Sequence, residues 1–486
     1  MTVSITNGDR LDRLPVWWYA VAVAAGLVSL FGTYWDDAWH TDRGRDDAWI
    51  PPHLVLYGGV AVVGLVVLGW GLATLRRRRS VRAVLTQPSL LLAALGGVAT
   101  LAAAPIDATW HSAFGRDAVL WSPPHLLAVV GSAVLVIGIL SGSRPAGRGA
   151  VAVPAVTLLL GALLVPVLEY ETDVPQFSEV WYLPVLLVGA LGAAALARNI
   201  LPGRLIVAPA VLAYAIVRLG AIGLLALLGF STPDLPVAVL GLAVVDLPWR
   251  TATLRYGAAA AAVSALAWLA AGTGVAAQQG RDVAVLALPI IASFGAVTVL
   301  AARRGLLAGA ITILFGAGIL VLAVPAPPAS AHDPGQGEVV GAVTLTVTSD
   351  GTGRVSVAAE FGDGCAVRPV AVVARRAGAS IRAGLAPTGR CHAAGSLQAP
   401  GPGLWFVYTE LEDAGGTVEA WLPVHADRRE VVSERREIYR PAGSARSSAA
   451  EVATGVGLYG VIAALLAVAA WQVRRLGTIS GPVRSS

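Results

Sequence analysis

A polytopic α-helical membrane protein of about twelve transmembrane helices, with an extracytoplasmic β-sandwich before the last helix, is the fold class the sequence predicts. Three observations predict it. The 486 residues are 56% apolar and only 13% charged, and the apolar residues fall in repeated runs long enough to cross a bilayer core of about 30 Å. Arginine clusters punctuate those runs in a way that fixes one orientation. Between about 338 and 440 the pattern changes to short stretches alternating apolar and polar residues between Gly- and Asp-rich turns, the signature of a small sandwich.

Taken in order, the first span is expected at about 14–34, after Arg10 and Arg13. The second begins near His53 and ends at Arg76-Arg77-Arg78-Arg79, the strongest cytoplasmic signal in the chain. Spans at about 88–106 and 124–141 complete a four-helix unit, 1–145. A further helical block, 146–326, is expected to hold spans at about 150–168, 180–197, 205–230, 236–249, 256–275, 283–302 and 305–325; 236–249 is short enough to be re-entrant. A β domain, 332–445, and a C-terminal helix within 453–475 follow. This count places the protein in the plasma membrane with both termini cytoplasmic. The formal charge of +5 reads as topology signals and not as a nucleic-acid footprint. The acidic stretch Glu169-Tyr170-Glu171-Thr172-Asp173 reads as a solvated external loop, with cation binding as the alternative. Arg218 and Asp246 fall in or near apolar runs, where they either pair with each other or snorkel to the interface.

Two copies of one motif stand out. The first runs from Asp36 through Trp39-His40 and Arg45-Asp46 to Pro51-Pro52-His53. The second runs from Asp107 through Trp110-His111 and Arg116-Asp117 to Pro123-Pro124-His125. A helical hairpin separates them, so the repeat is a structural unit. Asp36 and His40, like Asp107 and His111, stand at i and i+4 and share one face of a helical turn. His53 and His125 each follow a Pro-Pro pair that fixes the backbone before the next apolar run. Each copy therefore offers two imidazoles and one carboxylate, a set suited to a first-row transition metal with open positions. The competing reading is an interfacial helix-capping device. By topology both copies lie at the extracytoplasmic surface.

The pattern D-x-x-W-H, R-D, P-x-H resembles the metal-binding region of the C subunit of the particulate methane and ammonia monooxygenase family, over roughly residues 14–141. His40 to His53 is thirteen residues and His111 to His125 is fourteen, the spacings of that family's two neighbouring sites. The resemblance implies copper held by Asp36, His40 and His53, and a second metal, copper or zinc, held by Asp107, His111 and His125. Asp107 stands where the family usually has Asn. Arg45, Asp46, Arg116 and Asp117 are then either partners orienting those ligands or loop salt bridges. Trp39, Trp110 and Tyr57 are either nearby redox groups or interfacial aromatics.

The stretch 303–332 reads either as an ordinary span with a Pro-rich linker or as a signal-like segment ending in Ala329-Ser330-Ala331. Cleavage there would leave His332 as an amino terminus able to chelate copper, as in the same family's B subunit. The β domain is expected to contain strands at 338–348, 354–361, 368–373, 404–411 and 417–424. It holds Cys365 and Cys391, expected as a disulfide in an oxidising compartment, with a Cys391-His392 metal site as the alternative. His332, His392 and His425 form a candidate second copper site there. Two functions follow. One is a copper-dependent oxidoreductase that activates oxygen to hydroxylate a small substrate. The other is copper acquisition, transport or delivery without oxygenase activity. The expected partners are the lipid bilayer, a copper chaperone or electron donor, and further copies of the chain.

Overall fold

The computed structural model describes residues 13–43, 49–114, 122–143, 149–172, 179–201, 203–276, 278, 283, 336–362, 367–376, 379–441 and 449–479. The helices are α1 (Val16–Asp42), α2 (Pro51–Arg78), the short α3 (Val81–Leu85), α4 (Pro88–Phe114), α5 (Pro123–Ser143), α6 (Gly149–Leu164) and α7 (Leu168–Glu171). They continue with α8 (Tyr182–Ile200), α9 (Val207–Leu227), α10 (Ala252–Gly272) and α11 (Ala449–Ile479). Among the described residues, nine helical segments are long and apolar enough to cross a membrane. The expected span at 236–249 is instead a nine-residue 3-10 segment, Ala238–Asp246, too short to cross a bilayer. The remaining two expected spans, 283–302 and 305–325, lie outside the described residues apart from Val283.

Small residues set the helix pairing. At the α1–α2 contact, a methyl added to Gly32 would lie 2.7 Å from the backbone nitrogen of Leu56, and one on Gly59 would lie 2.6 Å from the carbonyl oxygen of Ala25. At the α4–α5 contact, Gly96 abuts the backbone of Leu135 and Gly138 that of Ala93. In an apolar solvent, close backbone approach is a principal source of helix association. These glycines hold each hairpin of the repeat closely packed. Behind them, α5, α6 and α8 are buried on nearly all sides, while α1, α2, α4, α9, α10 and α11 carry exposed apolar faces.

The buried charges are matched, but not as the sequence suggested. Arg218 on α9 is 2% exposed. It forms an ion pair with Glu171 and lies over the ring of Tyr34, 4.7 Å from its centroid. Asp246 accepts from Arg198 at 2.7 Å and from the backbone N–H groups of Ile206, Val207 and Ala208 at the start of α9. Arg218 and Asp246 therefore have separate partners, because Asp246 binds the start of α9 and Arg218 lies a dozen residues along it, about 16 Å away. The described part of the acidic stretch, residues 169–172, is likewise not a solvated loop. Glu169 to Glu171 continue the helix in α7, and Glu169 is 2% exposed.

Before α11 the chain forms a closed eight-stranded barrel, not a sandwich. Its strands are β1 (Gln336–Asp350), β2 (Arg354–Phe361), β3 (Arg368–Arg376), β4 (Ala379–Gly389), β5 (His392–Gln398), β6 (Leu404–Asp413), β7 (Gly416–His425) and β8 (Arg429–Pro441). The order is β1-β2-β5-β4-β3-β6-β7-β8, and β1 returns to pair with β8 from Gln336–Pro441 to Asp350–Arg429. The fifteen-residue β1 closes the sheet by pairing on both edges. Alternation alone does not separate barrel from sandwich, since both bury one face. The interior is apolar, with Val343, Leu345, Val357, Trp405 and Leu422 buried there.

The outer face of β3, β6, β7 and β8 is also buried, around Phe406, Tyr408, Trp421 and Tyr439. This side seats the barrel on the helices. Arg376 pairs with Glu179 at 3.3 Å, and the Arg436 guanidinium donates to the carbonyl oxygens of Asp42 and Arg43 at the end of α1. Cys391 lies in the turn between β4 and β5, and its carbonyl accepts from the N–H of Phe361. Cys365 lies outside the described residues.

Replacing Gly138 with Ala forces Cβ into the Ala93 backbone and should destabilise the α4–α5 hairpin by about 1–3 kcal/mol. Gly71, around which a methyl meets nothing within 4 Å, is the control. Thermal melting of the detergent-solubilised protein should fall for Gly138→Ala and stay unchanged for Gly71→Ala.

Candidate metal centre

The motif residues occupy helix ends for identifiable reasons. Pro51-Pro52 and Pro123-Pro124 open α2 and α5, where a missing N–H costs nothing because the first turn has no intrahelical acceptor. His53 and His125 thus become the third residue of their helices. Asp36 and His40 lie in the last two turns of α1, and Asp107 and His111 in the last two turns of α4. The antiparallel hairpins then bring the end of one helix against the start of the next.

The first copy assembles fully. Asp36 Oδ1 lies 3.1 Å from His53 Nε2 and 3.7 Å from His40 Nε2. One donor atom from each of the three residues lies within 4.8 Å of the others. Bond lengths of about 2.0–2.2 Å to nitrogen and oxygen donors can close that spacing with small side-chain rotations. Two imidazoles and a carboxylate also leave coordination positions open, so the donor set fits copper, iron or zinc chemistry. In the second copy Asp107 Oδ1 lies 3.3 Å from His125 Nε2. His111 lies one turn beyond Asp107 on α4, and its side chain is outside the described residues. Of the five described ligand candidates none is more than 28% exposed, so they are held by protein and not displayed to solvent.

Both copies open onto one cavity of about 260 Å3, lined by Asp36, His40, His53, Asp107 and His125 among others. Asp37 and Glu169 also line it. Sequence reasoning missed Asp37, for which a signal was present, because the second copy has Ala108 at that place. Glu169 was read only as part of the acidic stretch 169–173, and it reaches the cavity because α7 continues the line of α6. A clamp beside the first copy was also missed. The Asp42 carboxylate accepts from the Ser231 N–H and hydroxyl, while Trp39 stacks on Phe230 with centroids 5.7 Å apart. Tyr57 stacks on His53 at 5.3 Å, and Trp110 meets Phe114 edge-on. Arg45, Asp46, Arg116 and Asp117 lie outside the described residues.

The barrel does not bring its two described histidines together. His392 begins β5 opposite Glu360 on β2, whereas His425 ends β7 beside the turn where Gly353 donates to Ala426. Gly353 precedes β2 and Glu360 is near its end, so the histidines lie at opposite ends of the barrel, about 20 Å apart along the strands. The site expected from His332, His392 and His425 therefore lacks a common centre for two of its members, and His332 is outside the described residues. No protein-family model matches the chain, and no curated protein or solved structure matches it either.

Burial, followed by the nearby Arg428 charge, holds the His425 imidazole below its ordinary range. A histidine whose folded pKa is depressed binds fewer protons folded than unfolded. Its contribution to stability is present above the ordinary imidazole value of about 6.5 and is lost as pH falls through it. Barrel melting, followed by tryptophan fluorescence, should drop between pH 7 and pH 5.5, and His425→Gln should flatten that drop.

Proposed function

We propose that this chain is a multi-pass plasma-membrane metalloprotein related to the C subunit of the particulate methane and ammonia monooxygenases, and that it oxidises a small apolar substrate with dioxygen. The observation that carries the reading is the joint placement of Asp36, His40 and His53 with Asp107 and His125 on one largely apolar cavity. A capping device has no use for such a cavity. The topology argued from the arginines supports the location. Arg76 lies 23 residues from His53 on α2, about 35 Å at helical rise, so the arginines and the ligands sit at opposite ends of one span. On that orientation the ligand end and the barrel are extracytoplasmic, and we extend the proposal to a Cys365–Cys391 disulfide. The Cys391 carbonyl bonds to Phe361, four residues before Cys365.

In this reading Asp36, His40 and His53 hold one copper, and Asp107, His111 and His125 hold a second metal, copper or zinc. Copper there would supply one-electron chemistry with dioxygen. The protein contributes the rest. Tyr57 stacks against His53 and fixes its ring. The Ser231–Asp42 and Phe230–Trp39 contacts fix the end of α1 that carries Asp36 and His40. Apolar walls exclude bulk water and admit the substrate. Hydroxylation consumes one dioxygen, two electrons and two protons, and yields one water with the alcohol, so an electron donor outside the chain is required.

A second reading, copper acquisition or delivery without oxygenase activity, is favoured by one observation. The barrel is seated on the end of α1 that carries the first ligand set, where a carrier domain would stand to pass an ion.

Purified protein should carry copper near one equivalent per ligand set. His53→Ala and His125→Ala should each remove about one equivalent without lowering helix content by circular dichroism. Unchanged metal content in both variants would sink the metal reading. Full metal content with no oxygen uptake, given a reductant and short alkanes or ammonia, would favour the delivery reading.

A further inference from the structure

The cavity extends well beyond the ligand end. On α1 its wall runs from His40 back through Thr33 and Gly26 to Ala22, and on α5 from His125 through Ser132 to Ile139. At 1.5 Å per residue these stripes are about 27 Å and about 21 Å long. On α6 and α7, Leu158, Ala162 and Glu169 trace a third side of the same channel. A volume of about 260 Å3 between stripes of that length describes an elongated slot.

Its chemistry is as informative as its shape. Four hydroxyl side chains line it part way down, and each already has a partner in the protein. Ser29 donates to the Leu56 carbonyl, Thr33 to that of Ser29 and Thr100 to that of Gly96, while Ser132 meets Thr100 at 3.3 Å. Deeper still the wall is Ala22, Gly26, Val63, Leu135, Val136 and Ile139, with no polar side chain. A buried water needs 2–4 polar partners, so the deep end suits hydrocarbon and not a water file. Leu101 lines the slot yet is 47% exposed on the outer surface of α4, which marks where the cavity meets the lipid-facing side.

We propose that this slot takes an unbranched alkyl chain drawn from the bilayer, laid between α1, α5 and α6 with its end at the Asp/His cluster. The proposal names the substrate class for the oxidation argued above and rests on that reading for the chemistry at the cluster only. Free n-alkanes and single-chain lipids share this feature, and the test separates them.

The test incubates the detergent-solubilised full chain with n-decane, n-hexadecane, hexadecan-1-ol or the branched C16 isomer 2,2,4,4,6,8,8-heptamethylnonane. After washing on a size-exclusion column, retained hydrocarbon per chain is measured by gas chromatography with mass spectrometry, and metal content is measured on the same fractions. About one n-hexadecane per chain should be retained, with at least ten-fold less of the branched isomer. Val136 lies eleven residues below His125, about 16 Å deep. Val136→Trp should therefore cut hexadecane retention about ten-fold and leave decane retention near the unsubstituted value. Val62→Trp, at an exposed position off the slot, should change neither. Ala128→Leu, near the ligands, should lower both and serves if Val136→Trp aggregates. Preferential retention of the alcohol would identify a lipid source, and of the alkane a free hydrocarbon. Equal retention of linear and branched chains in every variant would mean partition into detergent and overturn the proposal. Chain retention without bound metal would sink the oxidation reading and leave the slot standing.

Discussion

The structure depends on how closely two helices can approach. Where Gly32 meets Leu56 and Gly138 meets Ala93, the absence of a side chain lets backbones touch. Close packing of that kind is what associates helices wherever lipid is the solvent, because lipid tails are as apolar as leucine. Close approach places the last turns of α1 beside the first turn of α2, and the last turns of α4 beside the first turn of α5. A carboxylate and an imidazole then meet at 3.1 Å in one hairpin and 3.3 Å in the other. The site is a product of helix packing before it is a product of its own side chains.

Burial imposes the same demand on the other buried charges described in the bundle. Leaving one partner of a buried ion pair alone costs about 3–5 kcal/mol. Arg218 has Glu171 and the face of Tyr34, and Asp246 has Arg198 and three backbone N–H groups. The Asp246 carboxylate also satisfies the open N-terminus of α9, which no side chain of its own caps. Structural and candidate functional charges thus obey one rule. They differ in setting, since Asp36 and Asp107 meet their histidines on the wall of the cavity.

The motif was legible because it is local. The i, i+4 pair and the Pro-Pro–His start each state their geometry within a few residues, and the strand at 354–361 could be read from strict alternation for the same reason. Other features depend on contacts the sequence does not order. The β4 and β5 stretches are rich in Ala and Gly, with little β-branched character to announce a strand. In β8 charges on the outward face mask the period. Closure of the sheet is a statement about β1 meeting β8 across most of the domain. The partner of Arg218 depends on helix rotation about the axis, and Glu169 faces the cavity only through the continuation of α6 into α7.

Closing β1 on β8 has a consequence for how the domain behaves among its neighbours. An open sheet presents unpaired backbone groups along two edges, and such edges recruit other strands. Under the membrane placement proposed above, confinement to two dimensions would sharpen that hazard. In the ring every strand has a neighbour on both sides. Closure therefore leaves fewer backbone groups open to strand addition than an open sheet of the same strands would.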